Sequence, residues 1–154
     1  MATTLVRGKT SWDCGLCSWQ MALRATREEL LRELGHNGEE LIDECYPQAF
    51  HHQEFIPLAL RRGFRPVWIE RFPCNMYPNG YMKPLINSPF FDNQIKTRSG
   101  VLVCRANKAN HSVYFEGGII LDPAGFTYTY EVLCQDRVSV NNFRSLQSLG
   151  VFVL

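Results

Sequence analysis

Three residues of this chain combine the right types with a placement that suits chemistry: Cys14, His111 and Asp122. Asp13-Cys14-Gly15 stands directly before Leu16, Trp19, Gln20 and Leu23, which recur at helical spacing and predict a helix from about Cys14 to Ala25. Asp13 reads as its N-cap, with a carboxylate that accepts orphan backbone N–H groups. A thiol in the first turn meets the positive end of the helix dipole, which favours the reactive thiolate. A first-turn N–H is also suited to hold a developing oxyanion, and Gly15 lets a substrate backbone approach. The thiolate needs a base, and of the four histidines His111 is the candidate. It opens the apolar run Ser112-Val113-Tyr114-Phe115, so a strand end would hold it rigidly. Gly117-Gly118 reads as a two-residue hairpin turn, and Asp122 ends the returning strand. Hairpin geometry alone then makes His111 and Asp122 neighbours, and a carboxylate beside an imidazole fixes its tautomer and stabilises the imidazolium. His36, between Gly35 and Asn37, reads as a surface residue. His51 and His52 start a helix and read as capping or exposed.

The elements that must position this trio follow from the rest of the pattern. Thr26-Arg27-Glu28-Glu29 is a capping box for a helix through Leu34, stopped by Gly35. Further helices are expected at Glu39 to Cys45 and at His52 to Arg62, the latter with Pro57 in its first turn. After Gly63 the period shortens. Strands are expected at Pro66–Glu70, Val101–Arg105, Ser112–Glu116, Ile119–Asp122, Thr127–Leu133 and Val151–Leu154. Helices first and strands second imply an α+β fold, with an N-terminal helical part packed on a C-terminal antiparallel sheet. The 72–99 stretch fits neither period. It carries Pro73, Pro78, Pro84 and Pro89 among aromatic residues, and reads as a long loop near the cleft, with Tyr77 and Tyr81 as candidate substrate-binding residues.

Composition sets the frame. With 154 residues and 45% hydrophobic content the chain suits one domain, 1–154. Sixteen basic and 15 acidic residues leave a formal charge of +1, which provides no global field to draw in nucleic acid. No signal peptide and no bilayer-length apolar run is evident, so a cytoplasmic protein with reduced thiols is expected. No cofactor is called for, and the oligomeric state is not encoded in any pattern found.

Taken together, Asp13-Cys14-Gly15-Leu16-Cys17-Ser18 with Met21 resembles the nucleophile helix of papain-like cysteine peptidases of the bacteriocin-processing type, which cut leader peptides after a double glycine and have soluble relatives. In the same order, Ala59-Leu60-Arg61-Arg62-Gly63-Phe64 matches that family's helix ending in Gly-Phe. His111 matches the histidine that opens a hairpin, and Asp122-Pro123-Ala124-Gly125 matches an Asp-Pro-x-Gly close. The resemblance runs from about Trp12 to Gly125. It implies a papain-like fold, a Cys14-His111-Asp122 triad, a peptide or protein substrate, and hydrolysis or acyl transfer at a peptide or amide bond. The sequence departs from the family at Gly8, where a glutamine six positions before the nucleophile completes the oxyanion hole. Lys9, Thr10 or Ser11 are the candidate replacements, and losing one such donor costs roughly 3 kcal/mol of transition-state stabilisation. Three other readings compete. Cys14-x-x-Cys17 suits a redox dithiol, but lacks the upstream strand and helix of that motif. A zinc site would need a second compact ligand pair, whereas Cys45, Cys74, Cys104 and Cys134 are scattered. A non-catalytic binding module on the same scaffold is the third.

Overall fold

The structure, a computed structural model, describes residues 3–9, 13–36, 50–70, 89–106, 109–134 and 147–154. The helix expected at Glu39 to Cys45 and the aromatics Tyr77 and Tyr81 lie outside the described residues. Three helices lead. The first, α1 (Cys14–Leu23), is buried on every side from Gly15 to Leu23, with Leu16 and Trp19 fully covered. It closes earlier than expected, because Arg24 turns into the left-handed region at φ 52°. The second, α2 (Arg27–Leu34), opens with the reciprocal cap: the Glu29 N–H donates to Thr26 Oγ1 at 3.1 Å, and the Thr26 N–H donates to Glu29 Oε2 at 2.8 Å. The third, α3 (His52–Arg61), begins with the His51 N–H donating to Glu54 Oε2 at 2.8 Å. Because this helix starts at His52, Pro57 falls in the second turn and not the first, so Gln53 receives no helical N–H. The lost bond is tolerable because Pro57 lies on the exposed side.

Six strands form one antiparallel sheet: β1 (Val67–Glu70), β2 (Ser99–Ala106), β3 (Ala109–Glu116), β4 (Ile119–Asp122), β5 (Phe126–Thr129) and β6 (Gln147–Val153), in the order β1-β6-β2-β3-β4-β5. The Gly117-Gly118 turn has positive φ at both residues, 56° and 83°, as a two-residue hairpin of this hand requires. Gly100 allows β2 and β6 to approach, since a Cβ there would lie 1.9 Å from the Phe152 carbonyl oxygen.

Two stretches differ from expectation, and both build the same layer. Part of the supposed 72–99 loop is a helix, α4 (Pro89–Thr97), which buries Phe91 and Ile95. The run expected as a strand from Thr127 to Leu133 breaks after Thr129 into α5 (Tyr130–Cys134), where Thr129 Oγ1 accepts the Val132 N–H at 3.3 Å. Alternating strand residues explain why both faces need cover. Val101, Val103, Tyr114, Leu121 and Phe152 join α1, α2 and α3 in one core, while Leu102, Val113, Phe115, Ile120 and Val151 join Phe91, Ile95, Tyr130 and Leu133 in the other. The fold is therefore α+β with a helical layer on each face of the sheet. No helix among the described residues is long and apolar enough to cross a membrane.

Candidate active site

The hairpin delivers the expected juxtaposition. In the β3–β4 register Tyr114 faces Leu121, so His111 and Asp122 stand as diagonal neighbours at the hairpin's open end. The His111 Nε2 atom lies 2.7 Å from Asp122 Oδ1. Commitment of Nε2 to the carboxylate leaves Nδ1 for the Cys14 thiol, with which the ring is also hydrogen-bonded. Cys14 enters from α1, which packs across β3, and the residue is half-buried. Two amides complete its surroundings, the N–H of Gly15 in the same turn and the N–H of Ser112 on β3.

The electrostatics follow from these contacts. Burial by itself would push the Cys14 thiol up, but the His111 hydrogen bond, the His111 charge and the Ser112 and Gly15 amides outweigh it and hold the thiol below its ordinary value. Burial disfavours the His111 cation, yet its bonds to Asp122 and Cys14 and their negative charges raise it to about 10. Asp122 also resists burial: the His111 bond and charge, the Ala124 N–H and the Tyr128 hydroxyl keep it below the usual carboxylate range. Between the Cys14 and His111 transitions the site is thus a thiolate–imidazolium pair.

Cys17, one turn along, differs in every respect. It is fully buried, and burial and the Asp13 charge push it up to about 12. Such a thiol is inert at neutral pH, so the two cysteines of the Cys-x-x-Cys segment are electrostatically unlike.

Asp13 does not cap α1, contrary to the sequence reading. Its backbone, at φ −96° and ψ 13°, is outside the extended region an N-cap needs, and its side chain makes no cap hydrogen bond. The buried carboxylate turns the other way, accepting the Lys9 N–H at 2.9 Å and Arg27 Nη1 at 2.8 Å. The Gly15 amide, in the first turn of α1, is left to the Cys14 sulfur. Lys9, an oxyanion candidate, has its amide committed to Asp13, and its side chain is exposed. Thr10 and Ser11 lie outside the described residues. Gly8, where the resemblance would place a glutamine, donates its N–H to the Pro123 carbonyl at 2.8 Å, so this segment is fastened to the turn after Asp122.

Several supporting residues had no sequence argument. Tyr128 Oη donates to Asp122 Oδ2 at 2.8 Å, and the Ala124 N–H donates to Oδ1 at 2.9 Å. Asp122 pairs with Phe126 across β4–β5, and Tyr128 is the next residue on that face; a reading that paired these strands would have found it. His52 was expected at a cap or in solvent. Instead its ring takes a hydrogen bond from Trp19 and bonds Ser112, because α3 packs against α1 at its first turn. His36 is not simply at the surface either, as its ring stands edge-on to Phe50 at 5.0 Å. No protein-family model, curated protein or solved structure matches the chain.

Proposed function

We propose that the chain is a papain-like cysteine hydrolase or acyl-transfer enzyme acting on a peptide or amide bond. The observation that carries this reading is the single line of contacts from the Cys14 sulfur through the His111 ring to the Asp122 carboxylate, with the sulfur at a helix N-terminus. In the proposed reaction the Cys14 thiolate attacks the carbonyl carbon, and the carbonyl π electrons move to oxygen. The first-turn Cys14 N–H takes part of that charge. A second donor comes from the Lys9 ammonium or from the hydroxyls of Thr10 or Ser11. As the C–N bond breaks, His111 gives its Nδ1 proton to the leaving amine. Water, or another amine, then attacks the thioester with His111 as base. The C–S bond breaks, and the thiolate–imidazolium pair returns. Asp122 holds the ring throughout. A thiolate nucleophile works best where thiols stay reduced, and the cytosol is the proposed location.

The test is selective alkylation of the native protein. Iodoacetamide at neutral pH should modify Cys14 ahead of the other five cysteines, and a peptide-like electrophile should do so faster still. Equal labelling of all six native thiols, or labelling at Cys17 first, would remove the basis of the proposal.

A further inference from the structure

A second histidine stands against the nucleophile turn without belonging to the triad. His52 is the first residue of α3. Its Nδ1 lies 3.0 Å from Trp19 Nε1, and its Nε2 lies 3.1 Å from Ser112 Oγ. An indole N–H can only donate, so Nδ1 must present a lone pair. A neutral ring with a lone pair at Nδ1 carries its hydrogen on Nε2, which therefore donates to Ser112 Oγ. The ring is wedged in place: its centroid is 5.5 Å from that of Phe152, and its Cε1 would lie 3.7 Å from a Cβ on Gly15. Burial first, and the nearby His51 charge second, push His52 down to about 4, so at neutral pH the ring is uncharged and its single N–H, on Nε2, is a fixed donor.

What it holds is the informative part. Ser112 follows the base His111 in the chain, and the Ser112 backbone N–H is one of the two amides on the Cys14 sulfur. Trp19 belongs to the helix that carries Cys14. The path Trp19–His52–Ser112 thus ties the nucleophile helix to the strand of the base by a route separate from the Cys14–His111 contact. We infer that His52 is a positioning residue, which latches Ser112 so that its amide supports the Cys14 thiolate and His111 stays in register with the sulfur. This inference rests on the Cys14–His111 pair proposed above.

The experiment measures iodoacetamide alkylation of Cys14 against pH in the full chain, with Cys14→Ala as background. It compares the wild type with Ser112→Ala, which removes the acceptor and keeps the amide, with His52→Phe, which keeps a packed ring without hydrogen bonds, and with the double variant. Each single variant should move the acid limb upward by about half to one pH unit, a three- to tenfold loss of thiolate on that limb. The double variant should shift no further than His52→Phe alone, because both changes break one link. An unmoved limb in folded Ser112→Ala, or additive shifts in the double variant, would overturn the inference and leave His52 as packing. Should His52→Phe fail to fold, the Ser112→Ala profile decides alone. A wild-type limb at the ordinary thiol value near 9 would instead overturn the Cys14–His111 pair, so the two failures are distinct.

Discussion

Tyr128→Phe removes one hydroxyl and leaves the ring. The carboxylate it served is buried, and it accepts His111 Nε2 at 2.7 Å and the Ala124 N–H at 2.9 Å on Oδ1, against the Tyr128 hydroxyl at 2.8 Å on Oδ2. Phenylalanine therefore takes the Tyr128 donor from Oδ2. A hydrogen bond to a charged group contributes about 1.5–3 kcal/mol. For a chain of 154 residues each kcal/mol moves Tm by about 2–4 °C, so the variant should melt about 3–12 °C lower at neutral pH. The deficit should also depend on pH, and its sign is set by Asp122. That group is held below its unfolded value, so its contribution is complete above about pH 4 and is lost as pH falls through the depressed folded value. Tyr128 is one cause of the depression. Its removal should thus cost most at pH 7 and progressively less toward the lowest pH at which both proteins stay folded. Calorimetric melts from pH 7 downward read both quantities. An unchanged Tm at pH 7 would mean that the hydrogen bond contributes nothing. A deficit of constant size at every pH would mean lost packing, with no role for the charge on Asp122.

Cys14→Ala should abolish turnover and electrophile labelling, while Cys17→Ala should keep most activity and lose roughly 1 kcal/mol in a urea melt, since it only trims a buried side chain. The rate should rise with pH as Cys14 ionises below its ordinary value of 9.0 and fall again through about 10 as His111 loses its proton; a steady rise into alkali would contradict the ion pair. Asp122→Asn should reduce kcat per folded molecule by roughly 10–100-fold with little change in KM, the loss of a charge-assisted bond of about 1.5–3 kcal/mol to the imidazolium, and a raised KM with kcat unchanged would assign Asp122 to substrate binding instead.

What the residues announced was local. The capping box at Thr26, the Gly117-Gly118 hairpin and the helical spacing after Cys14 are each governed by contacts within a few residues, and the structure contains all three. His111 and Asp122 belong with them, because a two-residue turn determines which ends of a hairpin meet. The misreadings share a different cause. Val101 to Cys104 is apolar at every position because α4 and α5 cover the face that α1–α3 leave open. Both covering helices were hidden: Pro89 at the start of α4 sat among other prolines, and α5 was disguised as strand by Phe126, Tyr128 and Tyr130. The supports of the site were hidden for a related reason. Tyr128 and His52 reach it from a neighbouring strand and a neighbouring helix, and no spacing in one chain records which side chains two separate elements turn toward each other.

Asp13 shows how a local rule fails where other partners compete for the same carboxylate. An aspartate before a helix ordinarily caps it, and a cap here would occupy the amides that face Cys14 and set a negative charge beside a thiolate. The chain instead spends the carboxylate on Arg27 and on the Lys9 amide, which fastens α2 and the entering segment to the start of α1. Arg27→Met tests whether that diversion matters. The guanidinium is only 13% exposed and the carboxylate 1%, so removing the cation should cost about 3 kcal/mol, the low end for breaking a buried pair. The larger consequence concerns charge. Without Arg27 the Asp13 carboxylate loses its cation, and if it swings onto the first-turn amides of α1 it competes with the Cys14 sulfur for them and disfavours the thiolate. The acid limb of Cys14 alkylation should then move upward, toward an ordinary thiol. A variant that loses stability but keeps the wild-type limb would show that Asp13 and Arg27 hold the fold together without shaping the nucleophile.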